Sequence, residues 1–159
     1  MTVIISGANG YIGKAFLRRI REISQRKILA LVRSQKARIE LAAEFDGLDI
    51  RVVDYSDPQA VDSALIDDAH LFHLVGTIRE TRKSDFTTIH EGLCNTIVEA
   101  PTKLSKITSL SVVGASLQST NLCLRSRANA DHILDSSGVP TAVVRIPMVL
   151  GGGGQASKA

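Results

Sequence analysis

The sequence predicts a doubly wound α/β domain, in which helices cover both faces of a parallel sheet. Short β-branched runs alternate with helical stretches along the chain, and this alternation is typical of a parallel sheet. Most of the β-branched runs are apolar throughout, as strands buried on both faces require. A turn containing three glycines connects the first run directly to the first helical stretch.

The elements follow one another in regular alternation. We predict six strands, at residues 2–6, 27–33, 49–54, 69–75, 105–113 and 140–146. Helices are expected at residues 11–23, 35–45, 58–65, 84–100 and 120–136, and Asp57-Pro58 provides an N-cap followed by proline at the first helical position.

Composition indicates one globular domain. The chain has 159 residues, 44% of them apolar and 22% charged, so we assign residues 1–150 to the domain and residues 151–159 to a glycine-rich tail. Two cysteines in no ligand spacing and an N terminus without a signal peptide predict a cytoplasmic location. No apolar run approaches the roughly 20 residues that span a bilayer, so we expect no membrane insertion.

Charge is distributed unevenly along the chain. Residues 1–40 contain nine basic and two acidic side chains, whereas residues 41–80 contain nine acidic and two basic ones. The basic segment could bind an anion, although several of its cations have the spacing of a solvated helix face. With six aromatic residues and no tryptophan, the chain offers few surfaces for base stacking, and we expect no nucleic-acid binding.

The glycine turn has the features of a phosphate-binding loop. Its glycines stand three positions apart: the first permits a tight turn, the second lets backbone N–H groups approach a pyrophosphate, and the third lets the helix pack closely on the strand. A turn that only reverses the chain is the alternative. The loop predicts a dinucleotide site of the Rossmann fold, with contacts from Gly7, Asn9, Gly10, Tyr11, Ile12 and Gly13.

The end of the second predicted strand indicates which dinucleotide binds. An acidic residue there would bind the ribose 2′-hydroxyl of NAD(H), but this chain has Arg33, followed by Ser34 and, shortly after, Lys36 and Arg38. A guanidinium suits a 2′-phosphate, so we predict that NADP(H) is preferred over NAD(H). The alternative is an ordinary surface arginine.

Several short motifs accompany the glycine loop along the chain. They are residues 7–13, Val53-Asp54, His73-Leu74-Val75-Gly76, Glu91-Gly92, Asn95, Leu110-Ser111, Leu124-Arg125-Ser126-Arg127-Ala128 and Arg145-Ile146-Pro147 through Gly151. With them the whole chain resembles the extended and atypical short-chain dehydrogenase/reductase superfamily, in particular its NmrA-like and epimerase-like members. The motif at Leu74–Gly76, with Glu80-Thr81-Arg82 and Asp85-Phe86, is similar to the branch containing the NADPH-binding accessory subunit of respiratory complex I.

The resemblance implies further cofactor contacts. Asp54 with Tyr55 matches the contact to adenine, and Pro147 matches the residue beside the nicotinamide. Leu74, Val75 and Gly76 match the strand end beneath the adenosine ribose. Each has a plainer alternative: Asp54 could accept a hydrogen bond from a loop N–H, and Pro147 could end a strand. A sheet of this type usually carries a substrate-contacting portion beyond its sixth strand. We expect that portion to be absent here, either because the sequence is a fragment or because the protein lacks it.

The catalytic pair of the superfamily is replaced. Active members carry Tyr-x-x-x-Lys on a helix, in which the tyrosine exchanges a proton and the lysine holds the ribose and lowers the tyrosine pKa. Cys123 and Arg127 occupy these positions, so the resemblance implies that Arg127 contacts the ribose and that no catalytic residue is present. We interpret Cys123 as a small buried apolar residue, and Ser111 or Ser116 as substitutes for the helper hydroxyl.

Three hypotheses follow. The first is an NADP(H)-binding protein without the reductase machinery, in which the dinucleotide is structural or sensed. The second is an NAD(P)-dependent oxidoreductase or a nucleotide-sugar epimerase- or dehydratase-like enzyme. The third is a subunit that docks to a protein partner or forms a homo-oligomer. No zinc, nucleophile-elbow or mononucleotide P-loop motif is present in the sequence, so we expect no metal.

Overall fold

The computed structural model describes residues 1–81, 85–147 and 149. Within these residues, the strands are β1 (Val3–Ser6), β2 (Ile28–Val32), β3 (Asp49–Val52), β4 (His70–His73), β5 (Lys106–Val112) and β6 (Thr141–Ile146). The α-helices are α1 (Tyr11–Ile23), α2 (Gln35–Glu44), α3 (Pro58–Ala64), α4 (Leu93–Glu99) and α5 (Leu122–Asp135).

The strands form one parallel sheet in the order β3-β2-β1-β4-β5-β6. Val3 of β1 pairs with Ile28 of β2 on one side and with His70 of β4 on the other. The chain order therefore reverses between β1 and β4, and the crevice above their carboxyl ends is where doubly wound sheets bind ligands. The predicted fold class and all six strands are confirmed.

Each face of the sheet has its own core because successive side chains along a strand point to opposite faces. Val3 and Ile5 of β1 pack with Leu17 of α1 and Leu41 of α2. Ile4, between them, packs on the opposite face with Ile97 of α4 and other side chains of α3 and α5. With both faces covered, the carboxyl edge is left to the loops that form the site.

The fourth helix differs from its predicted form. A helix was expected over residues 84–100, but Ser84 lies outside the described residues and a π-helical turn, Thr88–Gly92, precedes α4. The strands are also shorter than predicted, because apolar residues at strand ends continue into loops where the ladder of hydrogen bonds has stopped. The predicted tail, residues 151–159, lies outside the described residues.

None of the helices in the described part of the chain combines the length and apolar character needed to cross a membrane. The cytoplasmic location stays a prediction.

Candidate functional site

The glycine turn folds tightly over the end of β1. Gly7 has φ of +76°, a left-handed conformation that favours glycine, and its carbonyl accepts a hydrogen bond of 3.0 Å from the N–H of Gly10. A methyl group on Gly13 would collide with the Gly7 carbonyl oxygen and lie 2.8 Å from the Ala8 carbonyl carbon. The first turn of α1 therefore packs directly on the loop backbone.

The N terminus of α1 is left open by the chain. Gly10 is its N-cap and provides no side-chain hydrogen bond. In contrast, side chains cap the starts of α2, α3 and α5, where Ser34, Asp57 and Asn121 accept hydrogen bonds from backbone N–H groups. The first N–H groups of α1 thus have no side-chain acceptor among the described residues, at the helix end whose dipole favours an anion.

The glycine turn contacts the segment that follows β4. This strand neighbours β1 at the switch point, where the order of the strands reverses. A methyl group on Gly7 would lie 2.9 Å from both the carbonyl carbon of Leu74 and the nitrogen of Val75. Leu74 also donates its N–H to the Ser6 carbonyl at 3.0 Å. The structure therefore brings Leu74 and Val75, two of the predicted cofactor-binding residues, directly beside the glycine turn.

The other loop residues lie around the same turn. Asn9 and Tyr11 are exposed, and Ile12 is half-buried. Pro147 is exposed just after β6.

Arg33 lies at the carboxyl end of β2 with its side chain exposed. Among the described residues, neither Arg33 nor Arg38 forms an ion pair, whereas Lys36 lies 3.9 Å from Glu40. The N terminus of α2 begins two residues later, at Gln35. A free guanidinium and a helix N terminus at the same strand end provide positive charge for a phosphate group.

The remaining basic residues of the N-terminal segment are largely engaged elsewhere. Lys14 and Arg18 of α1 both form ion pairs with Glu44 at the end of α2, which lowers the pKa of that carboxyl through their hydrogen bonds and charges. Arg21 donates to the Asp46 carbonyl at 2.8 Å. These contacts support the interpretation of the α1 cations as a solvated helix face.

Asp54 and Tyr55 follow β3 and differ in orientation. Asp54 is exposed, and its Oδ1 accepts hydrogen bonds from the N–H of Ser56 at 2.9 Å and from its hydroxyl at 2.6 Å, which lower the Asp54 pKa. The alternative of a loop N–H contact is thus observed. The Tyr55 hydroxyl is enclosed, has no hydrogen-bond partner among the described residues, and has a pKa raised by burial. It points into the fold.

Arg127 of α5 joins two strand ends. Its Nη1 donates to the carbonyls of Val75 and Leu110 at 3.1 and 3.2 Å, and its Nη2 occupies the space where a side chain on Gly76 would begin. Nε is buried and has no partner among the described residues. Burial lowers the Arg127 pKa. The guanidinium that the resemblance assigns to the ribose thus binds the carboxyl edge of the sheet itself.

Cys123, Ser111 and Ser116 occupy or replace the positions that support proton transfer in active members of the superfamily. Cys123 was interpreted as buried, but it is half-buried, and its Sγ lies 3.8 Å from the Thr77 carbonyl oxygen. Partial burial raises its pKa, which favours the thiol over the thiolate. Ser111 is buried and donates to Asp131 at 2.8 Å, and Ser116 bonds to Gln118 at 3.0 Å.

Two histidines missed as site residues lie at this edge. His73 is fully buried and lies 2.9 Å from Ser6 Oγ, while His90 lies between the loop after β4 and α5. Burial, with the Arg127 charge, lowers the pKa of His73 to about 3 and that of His90 to about 4. The only sequence signal was a histidine ending an apolar strand and another in an amphipathic helix.

These pKa values predict a pH-dependent stability. An unfolded histidine titrates near 6.5, so protons bind preferentially to the unfolded chain once the pH falls below that value. We expect the free energy of unfolding in urea to be constant from pH 8 to 7 and to fall by several kcal/mol between about pH 6.5 and 3. In NMR spectra, His73 and His90 should remain neutral at pH 5; titration of either near pH 6.5 would contradict the assignment.

Two cavities lie elsewhere. One of about 360 Å³ is lined by residues near the start of β5 and the end of α5, and one of about 370 Å³ lies beside β6. Neither is lined by a predicted cofactor-binding residue. The predicted cofactor-binding residues lie instead at the carboxyl ends of the strands and in the loops that follow them.

Solved structures share this architecture. An NADPH-dependent quinone oxidoreductase from Escherichia coli, complexed with NADPH, superposes with a TM-score of 0.71 at 23% identity, over 90% of this chain and 48% of that chain. A triphenylmethane reductase from Citrobacter, complexed with NADP(H), gives a TM-score of 0.72 at 17% identity, over 91% of this chain and 49% of that chain. This chain has the fold of these reductases.

A UDP-glucuronic acid 4-epimerase from Bacillus cereus, in complex with NAD, shares the same fold, with a TM-score of 0.72 at 14% identity over 95% of this chain and 58% of that chain. The expected similarity to NAD(P)-binding reductases and epimerases is therefore confirmed at the level of the fold. The chain spans about half the length of the two reductases. No family model matches it, and no curated protein gives a significant sequence match.

Proposed function

We propose that this chain binds NADP(H) across the carboxyl edge of its sheet. The observation that carries the proposal is the open N terminus of α1: side chains cap the starts of α2, α3 and α5, whereas α1 starts at Gly10 without a side-chain cap. A pyrophosphate accepts hydrogen bonds from such N–H groups and is favoured by the helix dipole. Gly7, Asn9, Gly10, Tyr11, Ile12 and Gly13 form this end of the proposed site.

The preference for NADP(H) rests on Arg33. Its exposed guanidinium has no ion-pair partner among the described residues and lies at the end of β2, beside the N terminus of α2. A ribose 2′-phosphate placed there would gain charge-assisted hydrogen bonds, whereas a 2′-hydroxyl would gain little. The epimerase with the same fold is complexed with NAD. The proposed preference for NADP(H) therefore rests on Arg33 and not on the fold.

The remaining contacts follow the path from adenine to nicotinamide. Asp54 is assigned to the adenine amino group through Oδ2, which bonds to none of the described residues, and Tyr55, the next residue, is assigned to the same end of the cofactor. Leu74, Val75 and Gly76 are assigned to the floor of the crevice. Arg127 and Pro147 are assigned to the nicotinamide end.

We further propose that the dinucleotide is bound without the reductase machinery. Cys123 presents a protonated thiol in place of a phenol, Arg127 is held by two backbone carbonyls, and Ser111 is committed to Asp131. The contacts of Arg127 and Ser111 differ from those that a catalytic lysine and its helper hydroxyl make, and this supports the proposal.

The alternative is an NAD(P)-dependent oxidoreductase or epimerase-like enzyme. It is favoured by the two reductases that share the fold. Turnover distinguishes the two: oxidation of NADPH with quinone or other carbonyl acceptors, lost in Arg127→Ala, would favour the enzyme.

Titration of the purified chain with NADPH and, separately, with NADH tests the proposal. We expect saturable binding of both, with NADPH bound about 10- to 100-fold more tightly because of the 2′-phosphate contacts. Binding is followed by the fluorescence of the reduced cofactor itself. Because the chain has no tryptophan, no tryptophan emission interferes with this signal. Binding of neither dinucleotide would refute the proposal, and equal affinities would refute the preference.

A further inference from the structure

His90 connects the two segments that border the nicotinamide end of the proposed site. Only 1% of its surface is exposed, and it lies in the π-helical turn before α4, with the Phe86 ring stacked on it at a centroid distance of 5.7 Å. Its Nε2 lies 3.2 Å from the Thr77 nitrogen, and its Nδ1 lies 2.8 Å from the hydroxyl of Ser126 in α5. The imidazole thus bridges the loop after β4 and helix α5.

The hydrogen bonds run in one direction. Ser126 has one hydroxyl proton and lies 3.1 Å from the Cys123 carbonyl, to which it donates. Nδ1–H of His90 then donates to the Ser126 oxygen, and Nε2 accepts from the Thr77 N–H. In the opposite tautomer, Nε2–H would donate to the Thr77 carbonyl at 3.1 Å and leave the Thr77 N–H without its acceptor. The first arrangement satisfies the His90 ring nitrogens, the Ser126 hydroxyl and the Thr77 N–H together.

A second attachment acts beside the first. Arg127 follows Ser126 in α5 and donates to the Val75 carbonyl at 3.1 Å. Consecutive residues of α5 therefore fix both ends of the loop 75–77, one directly and one through His90. Gly76 lies between these attachments, packed against the Arg127 guanidinium.

We propose that His90 is a positioning residue for the nicotinamide half of the dinucleotide. It holds the backbone of Thr77 at a fixed distance from α5, and this distance sets the width of the crevice on the β4 side of the switch point. The adenine base and the 2′-phosphate lie on the opposite side, near Arg33 and the carboxyl ends of β2 and β3. Leu74 and Val75, beneath the adenosine ribose, are held by Ser6 and Arg127, whereas His90 holds Thr77, so the adenine half does not depend on His90. This inference rests on the proposed binding of NADP(H).

Two ligands separate the halves of the site. Adenosine 2′,5′-bisphosphate carries the adenine and the 2′-phosphate without the nicotinamide, whereas NADPH carries both. In His90→Phe, which keeps a ring against Phe86 but removes both hydrogen bonds, we expect the Kd of NADPH to rise about tenfold and that of the bisphosphate to change less than twofold. His90→Gln, which retains an acceptor for Thr77, should recover most of the NADPH affinity.

The control is His132→Phe on the exposed face of α5, which should change neither Kd. Equal weakening of both ligands in His90→Phe, or no weakening of either, would overturn the positioning role. Wild-type protein that binds neither ligand would refute the proposed function and, with it, any cofactor role for His90.

The connection itself has an independent readout. Imidazole ¹⁵N shifts of the ligand-free protein should show His90 protonated on Nδ1 only, and hydrogen exchange at the Thr77 N–H should be slow. If His90→Phe does not fold, Ser126→Ala removes the acceptor of Nδ1–H, and Thr77 exchange should accelerate about tenfold. The opposite tautomer, or unchanged exchange, would overturn the proposed connection.

Discussion

Gly13→Ala is expected to abolish NADPH binding and to lower the free energy of unfolding by about 2–3 kcal/mol. The added methyl group would overlap the Gly7 carbonyl oxygen and lie 2.8 Å from two backbone atoms of Ala8, so no side-chain rotation relieves the clash. The start of α1 must then move away from the loop, and the N–H groups that would hold the pyrophosphate separate from Gly7. Fluorescence titration with NADPH and urea unfolding measure the two effects.

Gly92→Ala provides the matched control. Gly92 has helical backbone angles of −56° and −50°, and a methyl group there meets no atom within 4 Å. We expect unchanged NADPH binding and a gain of about 0.5–1 kcal/mol in stability, since alanine loses less backbone entropy than glycine in a helix. Gly13→Ala protein that retains wild-type binding would show that α1 does not need its close contact with the loop.

Arg33→Asp is expected to lower the preference for NADPH over NADH by at least about a hundredfold. The substitution removes the donors of a charge-assisted contact and places a carboxylate where the 2′-phosphate would lie, whereas the same carboxylate can accept a hydrogen bond from the 2′-hydroxyl of NADH. The ratio of the two dissociation constants, measured by cofactor fluorescence, reports this change without requiring turnover.

Arg26→Asp makes the same change of charge at the opposite end of the same strand. Arg26 is exposed and precedes β2, whereas Arg33 follows it. We expect the ratio of dissociation constants to stay within about twofold of the wild-type value, because the amino edge of the sheet lies beyond the range of a screened charge. If Arg33→Asp and Arg26→Asp changed the ratio of dissociation constants equally, the effect would come from the overall charge of the protein. Arg33 would then have no specific contact with the 2′-phosphate.

The sequence predicted the sheet and the glycine loop well because both depend on short-range patterns. Three patterns depend only on residues that are close together in sequence. They are the apolar strands, the helix cap at Asp57 and the spacing of Gly7, Gly10 and Gly13. The contact of Leu74 and Val75 with the ribose, which the resemblance implies, stays a prediction, although the structure places both residues beside Gly7. Element ends were less accurate, since they depend on where a neighbouring strand stops pairing.

The surroundings of Cys123 and His90 could not be predicted from short-range patterns. Cys123 is expected to be buried but is half-buried, and its Sγ lies 3.8 Å from the carbonyl oxygen of Thr77, which is 46 positions away in sequence. His90 gave no signal as a connecting residue, because its partners Thr77 and Ser126 lie 13 and 36 positions away.

The sequence by itself thus determined a six-stranded parallel sheet and a tight glycine turn between β1 and α1, since each follows from the residues within one strand, turn or helix. Only the tertiary structure decided that Arg127 binds the carbonyls of Val75 and Leu110 and packs on Gly76. The physical reason is that a guanidinium has five donors and a long side chain, and which acceptors it meets depends on strands and helices brought together by folding.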